Sequence, residues 1–170
     1  SSSLQLNTVL QINTAYGSQQ LWLQNTVSLF GGKDGMTYNF VDNVWNMTAP
    51  FANVSPSYVK GNGSFSSTGG PVSQTIYYFC SQNYTSPLPL TLVLLIGVKV
   101  ERGSVVVGFG YVNTTSDVTE WYDNVTVSVP GLESAYLLVD GYNWTGDFHA
   151  YDTELVFGGL ANGENVSFAS

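Results

Sequence analysis

Charge is scarce in this chain. Of 170 residues, four are Lys or Arg and twelve are Asp or Glu, and charged residues make up 9%, against about 25% in an average soluble domain. Lys33, Lys60, Lys99 and Arg102 are too few and too scattered to follow a phosphate backbone, which excludes a nucleic-acid interface. The same shortage excludes thermal stabilisation by Lys/Glu ion-pair networks. Cysteine is nearly absent: Cys80 stands alone, so no intrachain disulfide can form. It ends the apolar run Ile76–Cys80 and reads as a small buried hydrophobe. Histidine is limited to His149. One His and one Cys cannot build a zinc site, and in acid an imidazolium is no base for a Ser or Cys nucleophile. The longest apolar run, Leu88–Val98, falls far short of the ~18 residues of a membrane-spanning helix. No phosphate loop or dinucleotide fingerprint occurs, and Gly31-Gly32, Gly69-Gly70 and Gly158-Gly159 read as turn punctuation. Asp140, Asn143 and Asp147 lack the spacing of an EF-hand calcium loop. No metal or cofactor is expected.

What is present is apolar and aromatic. Hydrophobic residues are 44% and aromatics 14%, ample for a full core and opposite to the composition of a disordered acidic chain. Near pH 2 the carboxyl groups are largely neutral. The chain then carries six positive charges, on the four Lys and Arg, on His149 and on the α-amino group. Self-repulsion on that scale is mild, and little ion pairing is lost. The composition therefore fits a protein that works in acid, and equally a charge-poor β-protein exported to neutral surroundings. Eight Asn-x-Ser/Thr sequons favour export and N-linked glycans: Asn46, Asn53, Asn62, Asn83, Asn113, Asn124, Asn143 and Asn165. Asn53 is the weakest, because Pro56 follows its sequon.

Short runs of β-branched and aromatic residues alternate with polar ones between Gly/Pro/Asn/Ser clusters, an all-β pattern. Strands are expected at Leu4–Ile12, Gln20–Leu29, Thr37–Trp45, Thr75–Cys80, Leu90–Val100, Ser104–Val112, Glu120–Val129, Ala135–Asp140, Thr153–Phe157 and Asn165–Phe168. Loops are expected at Gly31–Gly35, Gly61–Pro71 and Gly158–Gly163. Leu90–Val98 is apolar on both faces and reads as a central strand. Glu101-Arg102-Gly103 reads as a tight hairpin turn into Val105–Val107. Residues 1–170 are expected to form one antiparallel β-sandwich domain of about ten strands without significant helix.

With other chemistry excluded, the carboxyl groups remain. In acid, a pair with split pKa values supplies the workable acid and base: one member activates water and the other donates a proton. Asp42 shares strand parity with Tyr38 and Phe40. Asp123 shares it with Trp121, Val125 and Val127, and Asp152 and Glu154 share it with Val156. Glu101, Asp117, Glu133, Asp147 and Glu164 read as turn residues. For each of the four strand acids, spacing alone favours a hydrogen-bonded acid at a strand end over a catalytic group.

Leu4-Gln5-Leu6-Asn7-Thr8-Val9-Leu10-Gln11-Ile12-Asn13-Thr14, Leu21-Trp22-Leu23-Gln24-Asn25 and Phe40-Val41-Asp42-Asn43-Val44-Trp45-Asn46-Met47-Thr48 are followed in order by three further blocks. These are Gly61-Asn62-Gly63, Trp121-Tyr122-Asp123-Asn124-Val125-Thr126-Val127 and Tyr151-Asp152-Thr153-Glu154-Leu155-Val156-Phe157-Gly158-Gly159. In this order, from Leu4 to Phe168, the chain resembles the thermopsin family: secreted, glycosylated acid proteases of archaea from hot acidic habitats, grouped with the aspartic-type peptidases. The resemblance implies extracellular hydrolysis of a polypeptide substrate in acid without a cofactor. It also implies that Asp42, Asp123, Asp152 and Glu154, which fall inside the shared blocks, are the catalytic candidates, with Trp22, Trp45 and Tyr151 lining a substrate cleft. Two arrangements follow. Glu154 pairs with Asp42 or Asp152, or Glu154 pairs with Gln24, whose amide orients water and steadies the oxyanion as in the glutamic peptidases. Asn25 stands where an acid can occur in the Trp-Leu-Gln block, and family members continue beyond both ends of this chain. The competing expectation is a non-catalytic module of a glycosylated surface or filament protein that binds protein or glycan.

Overall fold

The computed structural model describes residues 1–139 and 153–159. Twelve strands occur among these residues: β1 (Ser2–Thr14), β2 (Gly17–Gly32), β3 (Gly35–Asn46), β4 (Val59–Lys60), β5 (Ser64–Ser67), β6 (Thr75–Cys80), β7 (Tyr84–Ser86), β8 (Leu92–Glu101), β9 (Ser104–Asn113), β10 (Val118–Ser128), β11 (Leu132–Leu138) and β12 (Glu154–Gly158). No helix occurs among them, so the chain is all-β, as the alternation implies. The strands form two antiparallel sheets. The larger runs β11-β1-β2-β3-β6-β5, with β12 also pairing β1 and β7 also pairing β3; the smaller runs β4-β10-β9-β8.

Alternation builds the core. In the larger sheet Leu10, Ile12, Leu21, Leu23, Val44 and Tyr77 turn to one face; in the smaller sheet Val105, Val107, Phe109, Val125 and Val127 do the same, and all belong to one buried cluster. A second cluster joins Val27, Tyr38 and Phe40 to Leu94 and Tyr111, with Phe40 stacked on Tyr111 at 4.1 Å between ring centroids. Each sheet thus has an inner face, shared with the other sheet, and an outer face. The hairpin turns fall on short polar pairs, Lys33-Asp34 between Gly32 and Gly35 and Arg102-Gly103 between Glu101 and Ser104. Gly103 has φ +73°, the left-handed conformation such a turn requires. Among the described residues the one ion pair is Lys99–Glu101, 3.0 Å and exposed.

Four expectations are corrected. Among the described residues β8 is the last strand of its sheet, not a central one. Leu94, Ile96 and Val98 feed the core while Val93 and Val100 remain 45% and 49% exposed, and among the described residues no strand pairs its far edge. The loop expected over Gly61–Pro71 contains β5. Cys80 is exposed: Tyr77 and Phe79 turn inward, so alternation sends Cys80 outward. A bulge between Trp121 and Asp123 breaks the parity expected across them, because its extra residue, Tyr122, shifts the alternation by one. The strand expected at Asn165–Phe168 lies outside the described residues.

Candidate active site

Of the four candidate acids, the three within the described residues, Asp42, Asp123 and Glu154, do not gather in one place. Directly opposed residues of antiparallel strands share a face. On the inner face of the larger sheet, Leu6, Asn25, Asp42 and Phe79 form one row across β1, β2, β3 and β6. On the outer face, one residue along, Glu154, Asn7, Gln24, Asn43 and Tyr78 form the next row. Asp42 and Glu154 therefore stand on opposite faces of one sheet, and the structure separates the expected pair. Its cause is register: β12 pairs β1 so that Glu154 opposes Asn7. Asp152 and Tyr151 lie outside the described residues, as do Asp140, Asn143, Asp147, His149, Glu164 and Asn165.

The inner row meets Asp123 from the smaller sheet. Asp42 and Asp123 are both 0% exposed. The bulge in β10 lets Tyr122 and Asp123, consecutive in sequence, both turn toward the larger sheet. The Asp123 carboxylate accepts the Tyr77 O–H at Oδ2, 2.6 Å, and the Asn62 backbone N–H at Oδ1, 3.1 Å. The Gly61-Asn62-Gly63 block makes this approach possible. A Cβ on Gly61 would stand 2.1 Å from the Tyr77 hydroxyl oxygen, and one on Gly63 would stand 2.0 Å from the Tyr78 carbonyl oxygen. Gly63 in turn donates its N–H to Tyr77 Oη at 2.8 Å.

Asp42 has a different setting. Neither of its oxygens has an N–H or hydroxyl donor among the described residues, and its neighbour is the Asp123 carboxyl. Two acceptors can bond only if one carries a proton. Burial pushes Asp42 up to about 9, reinforced by the Asp123 charge and by the hydrogen bond to Asp123. So Asp42 is held as the neutral acid beside the Asp123 carboxyl, and the two sheets bring this pair together without a cation among the described residues. Asn25 lies beside Asp42 in the row and makes a second tie. Its Nδ2 donates to the Leu95 and Gly110 carbonyls, both at 2.8 Å, and its Oδ1 accepts the Tyr122 O–H at 2.7 Å. An acid at Asn25 would crowd a third carboxyl into this seam, and it could not donate to those carbonyls once ionised. Burial, then the Asp42 and Asp123 charges, hold the Tyr122 hydroxyl far above its ordinary range, so it remains a donor. Removing the Tyr77 hydroxyl leaves Asp123 short of a donor while still buried. Tyr77→Phe is expected to cost about 1–3 kcal/mol, read as a fall in the urea midpoint at unchanged slope.

The outer row is open. Glu154 is exposed and Gln24 half-buried. Asn7, between them, is 2% exposed; its Nδ2 donates to Glu154 Oε1 at 3.1 Å, and its Oδ1 has no partner among the described residues. Asn7 is one methylene shorter than its two neighbours and forms a polar floor between them. Two strand spacings, about 10 Å, separate the Cα atoms of Glu154 and Gln24. Trp45 donates its indole N–H to Gln24 Oε1 at 2.9 Å. An indole N–H is only ever a donor, so this bond fixes the amide: Oε1 faces Trp45 and both Nε2 donors point elsewhere. Trp22 opposes Trp45 two residues along the same face. The row thus holds a carboxyl group, an oriented amide and two aromatic neighbours. Asn7, Tyr77 and Tyr122 were not singled out in the sequence for a role, and Asn25 was noted only as standing where an acid can occur. The signal for Asn7 is a polar residue recurring among leucines within the Leu4–Thr14 block; for Tyr77 there is none in its own segment.

Comparison with known proteins points the same way as the shared blocks. The sequence profile of the family described as Thermopsin matches residues 1–170. The chain is similar to the protein named thermopsin from Sulfolobus acidocaldarius, 37% identical over 173 residues. That match covers 100% of this chain and 50% of the relative, so the chain spans half the length of the curated relative it matches. No solved structure matches. With the profile spanning every residue and the identity running the length of the chain, this protein belongs to the thermopsin family.

Proposed function

We propose that this chain is an exported acid endopeptidase, with Glu154 and Gln24 on the outer face as its acid–base and oxyanion groups. The carrying observation is the bond from Trp45 to Gln24 Oε1, which leaves the amide N–H groups free in the row shared with an exposed carboxyl. The Glu154 carboxylate takes a proton from water as the water oxygen adds to the peptide carbonyl carbon. Gln24 Nε2 donates to the carbonyl oxygen as it becomes negative. Protonated Glu154 then returns the proton to the departing amine as the C–N bond breaks. Carboxyl groups are the side chains able to serve as base and acid in turn well below neutrality. Trp22 and Trp45 flank the row and supply apolar contact for substrate side chains. Asp42 and Asp123 are assigned to the interior tie, since neither presents surface to a polypeptide.

Incubation with an unfolded polypeptide at pH 2–3 and high temperature tests this. The expected result is cleavage that fades toward neutrality. A folded sample that cleaves nothing across that range overturns the enzyme reading and favours the binding module.

A further inference from the structure

The outer face of the smaller sheet carries a second feature, unrelated to the row around Glu154. Gly97, Gly108 and Gly110 alternate with inward Ile96, Val98, Val107 and Phe109, so they pave one patch of that face. The Trp121 indole lies over all three. A Cβ on Gly97 would stand 3.1 Å from the ring, on Gly108 2.9 Å and on Gly110 2.7 Å. Only bare backbone lets the ring lie this low. Yet Trp121 is 47% exposed: one π-face rests on the glycine floor and the other faces solvent. Asn124 opposes Gly108 in the register. Its Oδ1 would stand 3.4 Å from the same Gly108 Cβ position that Trp121 approaches. The bulge between Trp121 and Asp123 brings ring and amide to the same side, and Asn124-Val125-Thr126 is a sequon.

We infer that Asn124 is an N-glycosylation site whose first sugar packs its C–H face on the open face of Trp121. In the modification, the Asn124 amide nitrogen attacks C1 of a lipid-linked oligosaccharyl phosphate or pyrophosphate. The C1–O bond to phosphate breaks, the N–C1 bond forms, the amide loses a proton, and the lipid phosphate leaves. Among the other sequons, Asn46 commits its amide nitrogen to the Asn53 carbonyl at 3.0 Å. A hexose face on an indole covers apolar ring surface that is otherwise wet, and the floor holds that ring before the sugar arrives.

The inference rests on the chain being exported. Secretion from an N-glycosylating host, followed by glycopeptide mass spectrometry, is expected to show Asn124 occupied. Thermal midpoints of wild type, Asn124→Gln, Trp121→Ala and the double variant then form a cycle. Asn124→Gln is expected to lower the midpoint by about 2–4 °C in the wild-type background and by nothing measurable beside Trp121→Ala. If Trp121→Ala fails to fold, Trp121→Phe serves, with the glycan's contribution retained in part. Occupied sequons elsewhere with Asn124 bare overturn the inference and leave export standing. No occupied sequon at all overturns both. An occupied Asn124 whose loss is additive with loss of the indole overturns the stacking.

Discussion

Stability is expected to fall as the pH rises from about 4 to about 9, the reverse of ordinary acid denaturation. Asp42 titrates near 3.8 in the unfolded chain and near about 9 in the fold. Through that window the native state keeps a proton that the unfolded state has released. Stability therefore declines as pH rises, and it is greatest below the unfolded value. The whole shift is worth roughly 7 kcal/mol at about 1.4 kcal/mol per pH unit. That is comparable to the total stability of about 5–15 kcal/mol of a typical domain, so the loss is large enough to unfold the protein in base. Asp42→Asn replaces the acid by an isostere that donates an N–H to Asp123 without titrating. Urea midpoints at pH 3, 6 and 9 are expected to fall steeply in the wild type and to stay level in Asp42→Asn. A wild type with its maximum near neutrality would sink the idea that the tie is a protonated pair.

Acid proteolysis is expected to collapse when Glu154 loses its carboxyl. Glu154→Gln keeps size and polarity, and Asn7 can turn its amide to bond the new side chain, so folding should survive. The rate is expected to drop by ~10²–10⁴, the usual contribution of one general acid–base group. Gln24→Ala removes the donor for the developing oxyanion and is expected to lower kcat by ~10²–10³ with little change in KM. A change in KM alone would assign Gln24 to binding.

The fold was largely legible because alternation is a local property. Strands over Leu4–Ile12 and Gln20–Leu29 announce their inner faces by leucine spacing, and Arg102-Gly103 announces its turn. The low charge was legible too, and the seam gives it physical content: two sheets that meet at a neutral Asp42 beside Asp123 and at Asn25 need no cation between them. The site was legible as residue types but not as partners. Glu154 and Asp42 seemed to belong together because each shares a block with aromatics; which face each takes is set by the pairing of β12 with β1, a long-range register no local pattern records. Asp123 became the partner of Asp42 through a one-residue bulge at Tyr122, and an inserted residue leaves no mark on composition. Asn25 looked like a lost acid in sequence, whereas its donors are what the Leu95 and Gly110 carbonyls require.

The proposed roles set Glu154 on the outer face of the larger sheet for chemistry, and Asp42 with Asp123 between the sheets for cohesion. The most direct measurement compares Asp42→Asn and Glu154→Gln in the same proteolysis assay at pH 3, each first checked for folding by circular dichroism. Folded Asp42→Asn is predicted to cleave at close to the wild-type rate, and folded Glu154→Gln to be nearly inactive. Inactive, folded Asp42→Asn beside active Glu154→Gln would contradict the account and move the chemistry into the buried pair.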